Sequence, residues 1–595
     1  MANERPKADV VIVGLGWAGS VMAEELTRAG LNVVAIERGK WRDTSTDFPP
    51  AVDPDELKWH TRRQMLAAPS RETYTFRNRS SQTAAPTREW SAFQFGENVG
   101  GAGTHWAGMS WRFSPWDFEV ATRTEDRYGR ARLDALRAEG LLLQDWGITY
   151  DDLAEDYDWF ERIAGTSGIA GNLNGKIRPG GNPFEGPRSR DYPTPPLKDS
   201  YWMARYRDTT TRMGYHPFTI PAGNLGQAYV NPLGVSMGPC TYCGFCDFHG
   251  CGNYSKSSPQ ACILPVLMRR PNFTVLTETQ ALNAVKSDDG KTVTGVRYVG
   301  SDGQGEGFQP ADIVISTAYQ MDNVRLMLLS RIGEQYDPST MQGTIGRNYN
   351  YQTCSSVTGY FDGAKMNPFI SAGAMAVQID DLNGDNFDHA DLDFIGGAGM
   401  MSVQTQGRPI ALANTLRPGT SRWGSGWKEG FSKSYNEAAT LFNQGTSMST
   451  RDAYLSLDPT YEDRFGQPLL RITFDWNRND KAMMRHITDK AQSIMQEAGA
   501  DAMTTDLQTE NSWNPYTQMS SHTIGGLVMG ADPTTSALNP YCQSWDCHNV
   551  FSVGANCFPN NAGYNPTVTI GALAIRAAKA IHSTYVNNPG PLVEA

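Results

Sequence analysis

The sequence predicts an α/β chain: a Rossmann-like dinucleotide-binding domain, interrupted by an inserted α+β domain built on an antiparallel sheet, plus a cysteine-rich loop. Three observations carry this. ADVVIVGLGWAG opens the chain as a strand, a glycine-rich turn and the start of a helix. At the far end, HNVFSVGANCFPNNAGYNPTVTIGALAIRAAKAI reads as strand, loop and helix. Between them Cys240, Cys243, Cys246 and Cys251 crowd into the run GPCTYCGFCDFHGC.

Taken in order, residues 8–37 form a βαβ unit. ADVVIVG is short, apolar and β-branched; GLGWAGSVMAEELTRAG turns into an amphipathic helix capped near Gly30; LNVVAIE is the second strand. Residues 40–97 are polar and poorly periodic, and NVGGAGTHWAGMSWR at 98–112 is a second glycine-rich segment. Residues 151–167 read as a helix whose acidic run DDLAEDYDWFE is a solvated face. The Gly/Pro/Asn-rich stretch 168–198 reads as a surface excursion. The cysteine loop spans roughly 236–256, and NFTVLTETQALNAVKS and KTVTGVRYVG alternate like antiparallel strands after it. ADIVISTA is a strand and MDNVRLMLLS a helix; 356–530 is a turn-rich section with short strand candidates and a helix near 479–498. The first, central and last parts therefore build one domain, into which the second is inserted.

The bulk properties set limits. A chain of 595 residues allows about three or four domains. With 52 basic against 63 acidic residues the net charge is −11, and no basic stripe points to nucleic acid. An anionic substrate then needs a locally cationic pocket. Nine cysteines in this length are not a disulfide scaffold; Cys542 and Cys547 are near enough to pair in an oxidising compartment, or are two ordinary thiols. MANERPKADVVIVG lacks the pattern of a signal peptide, and no run reaches the roughly 20 apolar residues of a membrane span. Alone, the chain reads as soluble and cytoplasmic unless a partner carries it elsewhere.

Several residues are candidates for chemistry. Gly14 permits a tight turn, Gly16 lets the backbone approach a pyrophosphate, and Gly19 allows close helix packing. The helix N-terminus favours phosphate, and Glu37, ending the second strand, can accept from a ribose hydroxyl. This pattern does not choose between FAD and NAD. The cysteine spacing C-x2-C-x2-C-x4-C is close to a ferredoxin run, so the sulfurs can converge on one iron–sulfur cube. Four thiolates also suit zinc, although zinc ligands usually come as two separated pairs, and free or paired thiols are a third option. His522 in SSHTIGG and Asn565 in YNPTVT are a candidate pair, one taking a proton from an alcohol and the other holding its oxygen. Each also suits a structural role in loop backbone, as does His105 in GGAGTHWAG. His249, inside the cysteine loop, is a candidate ligand or a solvated side chain, and Arg112 faces an anion or makes an ion pair.

GLGWAG with Glu37, GGAGTHWAGMSWR, the histidine of SSHTIGG and the tail GYNPTVTIGALAIRAAKAI resemble the glucose–methanol–choline (GMC) flavoprotein superfamily. More narrowly, VNPLGVSMGPCTYCGFC, LDPTYEDRFGQPLLRITFDW and HNVFSVGANCFPNNAGYNPT resemble the flavoprotein subunits of membrane-bound gluconate 2-dehydrogenases. The resemblance implies FAD. It implies a GMC-type FAD-binding domain from residues 1–115, 225–355 and 535–595, with an iron–sulfur loop at 236–262, and a substrate domain from 116–224 and 356–534. The implied FAD site takes in Gly14, Gly16, Gly19, Glu37, Gly100, Gly101, His105, Gly554, Asn565, Pro566 and Thr567. His105 matches the histidine of a THW motif that bonds the flavin covalently. His522 matches the superfamily's base and Asn565 its second active-site residue, where many members carry histidine. Relatives with cysteine loops hold a 3Fe–4S rather than a 4Fe–4S cluster; here the implied ligands come from Cys240, Cys243, Cys246 and Cys251, at a spacing unlike theirs.

The implied activity is oxidation of the C2 hydroxyl of D-gluconate to 2-keto-D-gluconate, with electrons leaving singly through the cluster to a c-type cytochrome and ubiquinone. 2-Keto-D-gluconate, sorbitol, fructose or another sugar or polyol are alternative substrates; an oxygen-reducing oxidase and a non-catalytic relay flavoprotein are further alternatives. The implied partners are a small subunit with a twin-arginine signal and a membrane-anchored multihaem cytochrome c, at the periplasmic face of a bacterial inner membrane. An arginine of the inserted domain is expected to meet the substrate carboxylate.

Overall fold

In the computed structural model, which describes residues 3–50, 52–53, 55–61, 65–67, 73–87, 92–405, 407–518 and 520–594, the strand Ala8–Val13 is buried on both faces. A run with no polar alternation requires that. Phe273–Leu276, Val33–Ile36, Ala8–Val13 and Gly307–Ser316 lie side by side and parallel, and Val550–Ser552 adds a parallel partner to Gly307–Ser316. Val293–Gly300 and Thr279–Lys286 extend the same sheet antiparallel. The helices Trp17–Arg28, Thr567–Ala580 and Ala154–Ala164 pack on one another beside it. Gly571 lets two of them close: a Cβ there would stand 2.2 Å from the Phe160 ring.

The second sheet is antiparallel, as expected. It orders Ala502–Leu507, Thr353–Tyr360, Ala438–Gly445, Ala398–Val403, Ala376–Ile379 and Phe218–Thr219, with the helix Arg478–Glu497 packed against Thr353–Tyr360. Asn477 caps that helix by accepting from the Asp480 N–H at 2.8 Å. A third sheet joins Tyr454–Glu462 and Pro468–Thr473 to Thr75–Arg77 and Ala85–Pro86. Thr75–Arg77 falls in the stretch read as polar and aperiodic. Its strand is held by long-range polar contacts, Arg77 Nε donating to Thr473 Oγ1 at 3.0 Å and Arg77 Nη2 to Tyr454 OH at 2.8 Å.

Several expectations are corrected. The acidic run at 151–161 is not simply a solvated face: Asp156 and Glu161 are buried. Glu161 takes Arg112 through two hydrogen bonds of 2.9 and 2.7 Å, and Arg188 at 2.5 Å. Arg112 is thereby assigned to a buried ion network that also includes Asp158. The stretch 168–198 buries Ala170, Asn182, Arg188 and Leu197 and so is not a surface excursion throughout. His249 is buried, not solvated, its Nε2 3.0 Å from Trp59 O. The sulfur beside Cys542 is that of Cys557, at 3.8 Å, whereas the Cys547 thiol turns to Gly290 O at 3.4 Å. No helix among the described residues is long and apolar enough to cross a membrane.

Candidate active site

A cavity of about 900 Å³ runs along the carboxyl ends of the parallel strands. This is where open α/β sheets bind their ligands. Gly14, at φ +92°, turns the chain out of the first strand; a Cβ would meet Ala318 Cα at 2.8 Å. Gly16 and Gly101 line the cavity, and a Cβ on Gly101 would stand 3.1 Å from Gly16 Cα, so the two glycine loops touch. Gly19 and Gly100 lie behind this wall. A Cβ on Gly19 would meet Gly14 O at 2.1 Å, and the Gly100 N–H donates to Leu15 O at 2.8 Å. Glu37 accepts from the Leu15 N–H at 2.9 Å and the Gly39 N–H at 2.7 Å. Burial pushes its carboxyl up, opposed by those two N–H groups. The lone pairs left on its oxygens face the cavity that Gly554, Pro566 and Thr567 line from the other end of the chain.

His105 sits in the same wall, its Nε2 2.8 Å from Gln94 O. Its Nδ1 is buried with no partner among the described residues. Burial lowers the ring to about 4, so it is neutral, with one nitrogen free for a bond to a bound group. This donor fits a covalently held flavin.

His522 and Asn565 arrive from opposite sides. The pairing of Asn350–Tyr351 with Thr523–Ile524 positions the first; the loop before the helix Thr567–Ala580 positions the second. Asn565 Nδ2 stands 3.2 Å from His522 Nε2, and its Oδ1 is buried without a partner among the described residues. Burial lowers His522 to about 4. Its other nitrogen, Nδ1, is 2.5 Å from Gln352 Oε1. No motif marks Gln352, which lies 170 residues away in sequence; only the strand pairing reveals it.

The expected cation is missing from this end. The guanidiniums among the described lining residues are Arg38 and Arg325, which pair with Asp322 and Asp463. The polar side chains shared with His522 include Gln404, Gln444, Thr440 and Ser356. Of these, Gln444 Oε1 is buried without a partner.

Cys240, Cys243, Cys246 and Cys251 line one small second cavity. Donors reach the sulfurs, including Cys243, which accepts from the Phe245 N–H. The Tyr242 N–H donates to Cys240 at 3.4 Å, Asn224 Nδ2 to Cys246 at 3.5 Å, and Ser255 Oγ lies 3.5 Å from Cys251. Burial raises the Cys240 thiol to about 12 and raises Cys243 and Cys246 too. Among the described residues no three His, Cys, Asp or Glu stand close enough to hold a metal ion. The donor type and the convergence suit a thiolate-bound centre, while the side chains do not stand as a ready ligand set.

Two cations flank this cavity. Lys256 is fully buried and donates to Trp106 O, Cys246 O and His249 O, each at 2.8 Å. Arg408 lies over the Phe245 ring at 3.1 Å, with Nε and Nη1 lacking a partner among the described residues. The two cavities share a wall. The Phe248 N–H donates to His105 O at 2.9 Å. A Cβ at Gly373 would meet Ala107 O at 2.0 Å and Cys246 Cβ at 2.6 Å.

A dinucleotide cradle facing an imidazole–amide pair defines an oxidoreductase of alcohols or related groups. The comparisons agree. A model described as GMC oxidoreductase matches residues 449–574. The whole chain is 43% identical to the gluconate 2-dehydrogenase flavoprotein of Pantoea cypripedii, covering 97% of it. It is 23% identical, over 98% of its length, to the fructose dehydrogenase large subunit of Gluconobacter japonicus, covering 99% of that protein. The crystal structure of pyridoxine 4-oxidase from Mesorbium loti shares the fold, with a TM-score of 0.59 at 16% identity over 97% of this chain and 99% of that one. The chain belongs to the GMC oxidoreductase family, whose members bind FAD.

Proposed function

We propose that this chain is the flavoprotein subunit of a gluconate 2-dehydrogenase, oxidising the C2 hydroxyl of D-gluconate to 2-keto-D-gluconate. The observation that carries the reaction type is the 3.2 Å approach of Asn565 Nδ2 to His522 Nε2 on the cavity wall. A hydroxyl docked against both atoms gives its proton to the neutral Nε2, while its oxygen accepts from Asn565 Nδ2. Gly14, Gly16, Gly101, Glu37, Gly554, Pro566 and Thr567 would hold FAD, and His105 would bond it. FAD, when bound, supplies the acceptor for the C2 hydrogen and its electron pair. Full-length likeness to the Pantoea flavoprotein supports gluconate.

The cysteine cavity is proposed to hold an iron–sulfur cluster of the 3Fe–4S type, for which three of the four thiolates suffice. An anionic thiolate site would draw on the charge of Lys256, which ties Cys246 to the Trp106 backbone beside His105. Such a cluster, when bound, supplies a one-electron relay. With it go the proposed partners and place: a small subunit bearing a twin-arginine signal and a multihaem cytochrome c passing electrons to ubiquinone, at the periplasmic face of the inner membrane. The domain division at 115, 224, 355 and 534 is part of the same proposal.

One observation favours a second substrate class. With only Arg38 and Arg325 as cations among the described lining residues, both already paired, the catalytic end suits a neutral sugar or polyol. Anaerobic addition of D-gluconate, 2-keto-D-gluconate, sorbitol and fructose to the purified protein separates the two. Gluconate should bleach the flavin absorbance fastest. Bleaching by sorbitol or fructose alone would move the assignment to a polyol or sugar dehydrogenase, and bleaching by none would end it.

A further inference from the structure

We propose that Gln352 is a positioning residue that fixes the ring proton of His522 on Nδ1 and so leaves Nε2 as the free base facing the substrate. This rests on the assignment of His522 as the base. The argument is one of donors and acceptors. Gln352 is fully buried. Its Nε2 donates to Ala562 O at 2.8 Å and to Tyr564 O at 3.1 Å. Carbonyl oxygens only accept, so a turned amide would set its oxygen against both of them. Oε1 is therefore the atom 2.5 Å from His522 Nδ1. An amide oxygen only accepts, so Nδ1 carries the proton.

The rest of the ring's surroundings agree. Asn565 Nδ2, a donor, faces Nε2 at 3.2 Å, as an unprotonated nitrogen requires. The His522 backbone is also held, its carbonyl accepting from the Gln352 N–H and from Asn561 Nδ2, each at 3.0 Å. Gln352 therefore binds both the ring and the main chain of the base. The same side chain reaches Ala562 and Tyr564, and so the loop that presents Asn565. One amide sets both members of the pair.

Gln352 is also neutral, and among the described residues burial is the cause that lowers the pKa of His522. Of the ionisable groups on the adjoining elements, Tyr319, Tyr349, Tyr351, Cys354 and Tyr564 are raised by burial and so uncharged near neutrality, while Asp322 and Arg325, on the helix that bears Gln320, are paired with Arg38 and Asp463. A carboxylate in place of Gln352 would favour the imidazolium. The ring would then be lost as a base at a higher pH on acidification.

The test uses the flavin-loaded protein. In Gln352→Leu, kcat for whichever sugar or sugar acid bleaches the parent flavin should fall about 10- to 100-fold with KM little changed, a part of the total that base catalysis supplies. In Gln352→Glu, the acid limb of the kcat/KM profile should move up by about one pH unit or more. A Gln352→Leu protein with parental flavin absorbance, kcat and profile would overturn the proposal. If that variant does not fold, the ring tautomer of the parent protein decides alone. Independently of any substrate, ¹⁵N spectra of histidine-labelled protein, with the His522 signals found by their loss in His522→Ala, should place the proton on Nδ1; the opposite tautomer would overturn it. An active His522→Ala protein would instead remove the base assignment, leaving the tautomer result to stand or fall separately.

Discussion

At the scale of single residues, the site divides into groups that announce themselves and groups that do not. Gly14, Gly16 and Glu37 are legible because their roles are local: a turn, a close approach and a carboxylate at a strand end. His522 and Asn565 sit in recognisable segments. Gln352 had no such signal, because its meaning lies in two carbonyls about 210 residues downstream. Arg112 suits an anion site or an ion pair on sequence alone, and the ion pair holds; its partners Asp158 and Glu161 emerge only when the helix Ala154–Ala164 docks. His105 carries a prediction at this scale. Its free Nδ1 and neutral ring should give a flavin that stays with the polypeptide in acid. Acid-precipitated protein is expected to be yellow, and His105→Ala to give a colourless pellet with the flavin in the supernatant. A colourless pellet from the parent protein would rule out the bond.

Among the elements, the cysteine loop shows how much spacing can and cannot say. The four cysteines of one run line one small cavity, yet among the described residues no three of them stand close enough to hold a metal ion. Spacing gives no hint of what stabilises charge there. Lys256 comes from five residues beyond the loop's last cysteine, and Arg408 from the inserted sheet's far side of the sequence. A buried ammonium held by three carbonyls and no carboxylate partner among the described residues is costly unless negative charge lies near. Thiolates bound to iron would provide it. Lys256→Met should therefore lower iron per flavin severalfold, and should also destabilise the fold by about 3 kcal/mol or more through the orphaned carbonyls of Trp106, Cys246 and His249. Iron analysis and the electron paramagnetic resonance of the oxidised protein check this; Cys246→Ser should lose the signal. Full iron in both variants would place the metal elsewhere or nowhere.

For the whole molecule, strands of the first sheet were readable because each is a continuous apolar run or, in Thr279–Lys286 and Val293–Gly300, an alternating one. The second and third sheets were not, because their order depends on pairings across hundreds of residues, such as Thr75–Arg77 beside Pro468–Thr473. Global stability should depend on pH through groups far from the cavity. Burial raises Asp117 and Asp480 from 3.8 to about 7. Their contribution to stability is complete below about 3.8 and is lost as pH rises from there to about 7, by up to about 1.4 kcal/mol per group per pH unit, with no further loss once both states are ionised. The neutral histidines His105, His249 and His522 act with the opposite sign over much of the same window, below their ordinary 6.5, and so offset the two carboxyls. Asp117→Asn with Asp480→Asn is therefore expected to make the melting temperature rise more steeply between about pH 4 and 7 than in the parent protein; an unchanged pH profile in the double variant would rule these two groups out. The parallel sheet itself has a further consequence. Its partner strand Val550–Ser552 and the wall formed by Gly554 to Thr567 are translated long after the strand Ala8–Val13. A growing chain on the ribosome can fold its opening βαβ unit early, yet it cannot enclose a nucleotide until this distant segment has also emerged. Cofactor capture must wait for it, and a chain cut before Val550 would be born without a place to keep one.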